Sequence, residues 1–423
     1  MLDAKKIDAY IAFLEQELVP ATGCTEPIAL AYAAAKLREM LGGPPQKIIA
    51  EVSGNIIKNV KSVVVPNTGG LKGISPAIAA GIIAGNTARL MRVIEDVSDA
   101  QQKEIAAYLE NLDIEIKCSN APRMLDIHLT GILDARRAVV HIANSHCNVI
   151  YLEENGKILL NEPADDSNQS QKERPDLTVQ EIVKFADQVD LERIRPLLKR
   201  QIEYNSAIAE EGIRGDWGAN LGKVILSDFG DDIKTEAQAY AAAGSDARMS
   251  GCELPVVILS GSGNQGMTAS LPVIRYAKRY NIPEERLYRA LLVSDLCTLH
   301  QKSGIGKLSA YCGAVSAGCG AGAGIAYLLG GDYRAISHTL VNAVAILSGM
   351  ICDGAKPSCA AKIAAAVEAG ILGYHMFLHD QEFMCGEGIV TKGVDDTIAN
   401  VGILAQEGMR QTDTTILKIM TKD

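Results

Sequence analysis

KSGIGKLSAYCGAVSAGCGAGAGIAYLLGG (residues 302–331), followed by SGMICDGAKPSCAAK (348–362), is built almost wholly from small side chains and thiols. Between 313 and 324 every residue except Val315 is Gly, Ala, Ser or Cys. Such a run predicts a helix that its neighbours approach closely, over about 316–330, with further helices over 333–350 and 360–378. Four of the ten cysteines fall here: Cys312, Cys319, Cys352 and Cys359. Tight turns of small residues around thiols suit a site where the backbone meets something compact.

Thiolates are soft donors that favour zinc, copper(I) or iron–sulfur clusters. Zinc sites usually use close C-x(2–4)-C pairs. Here each pair is separated by six residues and the two pairs by 32, so close zinc spacing is missing. Iron–sulfur clusters are larger and accept wider spacing. Free cysteines are also common small core residues. On spacing alone both readings stand.

Moving outward, 423 residues suit two domains, and a hydrophobic fraction of 48% supports a sizeable core. A net charge of −10 argues against nucleic-acid or anionic-membrane partners. Aromatics are only 4%, which again points to small-residue helix contacts. The first residues read as a helix rather than a signal peptide, and no uninterrupted apolar run reaches the ~18 residues of a membrane span. The expectation is a cytoplasmic protein with reduced cysteines, a small-molecule ligand, and homo-oligomerisation left open.

Residues 4–18 have helical spacing. A break at Pro20 and Gly23 precedes a long helix from about Glu26, placing Cys24 at its start. The helix dipole there is expected to favour the thiolate, and Thr25 is a candidate cap. An incidental cysteine at a plain cap is the bland alternative. KIIAEVSGNIIKNV (47–60) and SVVVP (62–66) read as strands, and PNTGGLKG (66–73) as a loop. Asn67, Thr68, Gly69 and Gly70 suit either a small anion or a turn. Residues 80–112 read as helix and 113–162 as strands, with ENGK as a hairpin turn. His128, His141 and His146 fall on or near these strands; a structural role is the ordinary reading.

Residues 163–177 are the most polar stretch and read as the linker. The fold expected is α+β: a mixed α/β domain with one sheet over 1–165, packed on a mainly helical domain over 178–423. In the second part, VVILSGSGNQGMTASLPV (256–273) runs from an apolar segment through a glycine loop into a helix. Gly261, Gly263 and Gly266 match G-x-G-x-x-G. No second β-α-β unit follows, nor the acidic residue about 20 positions on that a dinucleotide site requires. The loop, with Asn264 and Gln265, suits a small polar ligand better.

These segments resemble a family. YCGAVSAGCGAGAGIAYLLGG and ICDGAKPSC are similar to the catalytic region of the iron–sulfur-dependent L-serine dehydratases. TGCTEPIALAYAAA, SGNIIKNVKSV, TGGLKGI, SGSGNQG, CDGAKPSCA, GEGIV and VGILAQEGMRQTD are similar still more closely to the L-cysteine desulfidases and their relatives. The resemblance covers essentially the whole chain. It implies a [4Fe–4S] cluster held by Cys312, Cys352 and Cys359 with one iron open, and Cys24 as the proton-transferring base. It assigns Cys319 no ligand role. The sequence ends TTILKIMTKD without the terminal Cys of serine dehydratases, so the desulfidase is expected rather than the serine enzyme.

The implied reaction is β-elimination of L-cysteine to pyruvate, ammonia and hydrogen sulfide. The expected substrate contacts are Thr25, Asn67, Thr68, Gly69, Gly70, Asn264 and Gln265. L-Serine dehydration by the same residues is the alternative. An iron–sulfur redox sensor is the non-enzyme alternative, although no basic patch or recognition helix offers it an output.

Overall fold

The computed structural model describes residues 2–119, 121, 123–163, 174–306 and 309–420. The chain opens with α1 (Ala4–Glu17), where the Asp3 carboxylate accepts from the Lys6 amide. β1 (Pro20–Thr22) leads into α2 (Thr25–Leu41), which ends at Gly42 in the left-handed region, φ 70°. β2 (Lys47–Val52), α3 (Gly54–Val60), α4 (Ile74–Ala84) and α5 (Asp99–Asn111) follow. Then come β3 (Asp113–Cys118), β4 (Asp126–Leu133), β5 (Arg136–Ala143), β6 (Val149–Glu154) and β7 (Lys157–Asn161).

These strands form one mixed six-stranded sheet in the order β3-β2-β4-β5-β6-β7. Only β2 and β3 are parallel, and a parallel pair needs a long crossover. The segment carrying α3, α4 and α5 supplies it. The remaining neighbours are antiparallel. Asn155 and Gly156, both at positive φ, turn β6 into β7, as a two-residue hairpin demands. α2 lies against β4, β5 and α4, and is buried along nearly its whole length.

The rest is helical: α6 (Val179–Gln188), α7 (Arg195–Arg214), α8 (Leu221–Phe229), α9 (Ile233–Met249), then β8 (Pro255–Val257). α10 (Gly263–Arg279), α11 (Glu284–Ile305), α12 (Gly313–Leu328) and α13 (Tyr333–Ile346) follow. α14 (Cys359–Leu378), α15 (Val394–Ile403) and α16 (Arg410–Met420) complete it. The fold is α+β, as expected.

The expected linker lies largely outside the described residues, since 164–173 are not among them. Contacts among the described residues on either side join the two parts. β8 pairs antiparallel with β1. Tyr10 packs on Phe185 with ring centroids 5.2 Å apart. α16 returns to α3, where Lys58 Nζ meets Asp413 Oδ1 at 2.5 Å.

Two local expectations are corrected. SGNIIKNV is helix α3, because the Ser53 hydroxyl accepts from the Ile56 amide and caps it. SVVVP forms no named strand; Val64 makes one isolated bridge to Lys72. The helix expected over 80–112 breaks after Ala84, and α5 restarts at Asp99 behind a Ser98–Gln101 capping box.

The small-residue helices meet at backbone distance. A Cβ at Gly318 would lie 2.3 Å from the Ala366 carbonyl oxygen, and one at Gly370 would lie 2.1 Å from that of Gly318. α12 and α14 therefore touch along a Gly/Ala seam. α14 is long and apolar enough to cross a membrane, yet it packs on α12, α13 and α9. The seam also fixes the separation of Cys312 and Cys359, which stand at the starts of these two helices. Gly318→Ala is expected to destabilise the fold by about 1–3 kcal/mol through overpacking. A chemical denaturation curve checks this; an unchanged midpoint refutes the backbone-contact account.

Candidate active site

A cavity of about 1350 Å³ lies where α2, α3, α10, α12 and α14 begin. Cys24, Cys312, Cys352 and Cys359 all line it. Local backbone geometry brings the last three together. The Cys312 amide donates to the Met350 carbonyl and the Cys352 amide to the Ala310 carbonyl, at 2.8 and 2.6 Å. These bonds pair Tyr311 with Ile351 in an antiparallel bridge and set the thiols of Cys312 and Cys352 in hydrogen-bond contact. Cys359 opens α14 seven positions later, and its thiol donates to the Gly354 carbonyl at 3.7 Å. Gly354 sits at φ 98° against the Lys58 backbone, a conformation that glycine adopts without penalty.

The Cys312–Cys352 hydrogen bond splits the two acidities. Cys352 is held down at about 6, chiefly by that bond, with Lys58 and the Gly354 amide helping against burial. Cys312 is pushed well up, by the same bond and then by burial. Cys352 is therefore the more acidic of the two. Cys359 is raised by burial. Lys302, 3% exposed, has its pKa lowered to about 8 by burial, while the thiols of Cys352 and Cys312 favour its charge.

Among the described residues no three Cys, His, Asp or Glu side chains stand at the spacing of a single metal ion. The donor set is instead three soft sulfurs facing one large cavity, beside the cations Lys58 and Lys302. That fits a cluster several atoms across better than a lone ion. Cys319 is 1% exposed inside α12 and does not line the cavity.

Cys24 is 4% exposed, in a small cluster with Val63 and Met249, against which Cys359 packs. The break at Pro20 and Gly23 therefore forms a buried turn. Gly23, at φ 70°, turns the chain so tightly that a Cβ there would lie 2.0 Å from Pro66 Cγ. The expected lowering of the Cys24 pKa is corrected. Burial pushes the Cys24 thiol well above its ordinary pKa, and the Glu26 carboxylate adds to this; Arg248 opposes them. Desolvation outweighs the helix dipole. Cys24 Sγ donates to Glu26 Oε2 at 3.2 Å. The other Glu26 oxygen accepts from Asn59 Nδ2 at 3.0 Å. The Thr25 hydroxyl is 3.0 Å from both Glu26 Oε2 and the Gly261 carbonyl, so it ties α2 to the glycine loop.

Asn264 and Gln265 line the cavity. Asn264 Oδ1 accepts from Arg248 Nη1 at 3.1 Å. Gln265 covers Gly313, where a Cβ would fall 2.4 Å from its amide carbon. Asn67, Thr68, Gly69 and Gly70, expected as substrate contacts, do not line the cavity. Asn67 Nδ2 donates to the carbonyls of Ile94 and Glu95, and the Thr68 hydroxyl to that of Val65. Their polar groups brace the loop itself.

Sequence reasoning missed Glu26 and Arg248. Glu26 had a signal, a carboxylate two residues from the thiol inside TGCTEP. Arg248 had a fainter one: a single cation after the small-residue run AAAGSDA, in a helix otherwise suited to close packing.

Residues 88–418 match the model of the family described as serine dehydratase alpha chain. The chain is 57% identical over 412 residues to a UPF0597 protein of Desulfitobacterium hafniense, covering 97% of this chain and 96% of that one. It is 48% identical over 410 residues to a UPF0597 protein of Lachnoclostridium phytofermentans, covering 97% and 98%. A UPF0597 protein of Treponema denticola is 43% identical over 429 residues, covering 100% of both chains.

Proposed function

Since the chain belongs to the serine dehydratase alpha chain family, a family of lyases, we propose that it is an iron–sulfur-dependent L-cysteine desulfidase. The reaction takes L-cysteine and water to pyruvate, ammonia and hydrogen sulfide. The observation that carries this reading is the convergence of Cys24 with Cys312, Cys352 and Cys359 on one cavity. Cys312, Cys352 and Cys359 would hold a [4Fe–4S] cluster. When bound, the cluster supplies a Lewis-acidic iron with a free position.

The protein's own residues supply the proton chemistry. Cys24 is the base that takes the substrate α proton. Its thiol must first give up a proton, and Glu26 Oε2 is the acceptor at 3.2 Å. Asn59 holds the other carboxylate oxygen and so keeps Oε2 turned to the sulfur. Burial of both groups keeps water from competing for that proton. The elimination forms the C=C bond as the β-sulfur leaves with its bonding pair, and the resulting enamine hydrolyses in water.

The family description favours a second substrate, L-serine, with water leaving instead of sulfide. Anaerobic assays of pyruvate and sulfide from L-cysteine, beside pyruvate from L-serine, decide between them. L-Cysteine is expected to give pyruvate and sulfide in equal amounts and at the higher kcat/KM. A higher kcat/KM for L-serine assigns the serine reaction. No pyruvate from either refutes the lyase reading.

A further inference from the structure

Arg248, in the last turn of α9, is 2% exposed yet lines the cavity. Its guanidinium is always charged and carries five donors in a planar fork. Nη1 donates to Asn264 Oδ1, which fixes the plane. Nε and Nη2 have no partner among the described residues. These two atoms form one edge of the fork, the edge that takes both oxygens of a carboxylate. A buried, unpaired charge is costly unless something meets it.

The N-terminus of α10 arrives at the same place. A Cβ on Gly263 would lie 2.4 Å from Arg248 Nε and 2.7 Å from its Cζ. The cap residue Ser262 makes no side-chain hydrogen bond to the helix. The first amides of this 17-residue helix therefore retain their unmet donors beside the free guanidinium edge. A helix N-terminus and a buried cation with two idle N–H groups both call for an anion.

We propose that Arg248 and the start of α10 form a carboxylate site, in which the Nε/Nη2 edge grips the α-carboxylate of the amino-acid substrate. Gly263 is glycine because the guanidinium occupies the space of a side chain. Arg248 also acts electrostatically on Cys24, so a carboxylate held on it brings the neighbouring α carbon towards that thiol. This assignment rests on the amino-acid lyase reading for the identity of the substrate.

The test uses the anaerobic holoprotein and two unreactive probes, L-alanine and L-alaninamide, followed by calorimetric titration. The wild type is expected to bind L-alanine at least about 10-fold more tightly than L-alaninamide, as loss of a charge-assisted hydrogen-bonded pair implies. Arg248→Gln is expected to weaken L-alanine binding by about 10-fold or more, leave L-alaninamide binding unchanged, and retain the cluster chromophore. Arg248→Lys, which keeps the charge and loses the fork, should fall between. Equal binding of the two probes by the wild type overturns the proposal without recourse to any variant. Undiminished L-alanine binding by Arg248→Gln also overturns it. If the protein eliminates no β-substituted amino acid but binds L-alanine in an Arg248-dependent way, the lyase reading falls and the carboxylate site stands. Normal sulfide release from L-cysteine by Arg248→Gln, at unchanged KM, removes the site and leaves the lyase.

Discussion

Cys24→Ser is expected to keep the fold and the iron–sulfur chromophore and to lose turnover by a factor on the order of 10² or more, the usual cost of removing a general base. Serine preserves the size of the side chain but replaces the thiol by a far weaker acid. Glu26→Gln is expected to cause a similar loss with Cys24 intact. The amide can still accept a hydrogen bond from Sγ, but it cannot take the proton. Exchange of the substrate α proton with deuterated solvent should fall in step with turnover in both variants. Loss of the chromophore in Cys24→Ser would make Cys24 a cluster ligand instead. Normal exchange in that variant would move the base to another cavity residue, with Lys58 and His146 as the candidates that line it. Lys72, in the loop after Gly70, does not line it.

Cys312→Ala, Cys352→Ala and Cys359→Ala are each expected to abolish both cluster retention and activity. The three thiols come from two segments zipped together by the Tyr311–Ile351 bridge and from the first residue of α14. The other cysteines that line the cavity are Cys24 and the exposed Cys118. Cys319→Ala, in the core of α12, is expected to retain the chromophore and lose only packing energy. Iron and sulfide analysis with an anaerobic visible spectrum checks all four. A full [4Fe–4S] spectrum in all three of the first variants would falsify the ligand assignment.

The thiol segments and the sheet could be read from sequence because their signals are local. Alternation marks β4, β5 and β6, Asn155-Gly156 marks a hairpin, and glycine spacing marks the α12 contact. Ser53–Val60 misled because its Ile and Val residues suit a strand, whereas the decisive event is one capping bond from Ser53. The Asn67–Gly70 loop has the composition of an anion site. Whether Asn67 faces a ligand or the Ile94 carbonyl depends on a chain segment that no local pattern reveals. The acidity of Cys24 was misjudged for a related reason. A helix start is visible in sequence, but the burial that overrides its dipole arises only when α2 meets Val63 and Met249.

The ion pair between Lys58 and Asp413 joins residues 355 positions apart, and Asp413, Thr414 and Leu417 form part of the cavity wall. On the ribosome, Cys24 and Cys312 are therefore made long before the wall that encloses them. A nascent chain halted before α16 offers its thiols in an open trough, reachable by oxidants and by any passing metal. The enclosed site exists only after synthesis has passed Asp413.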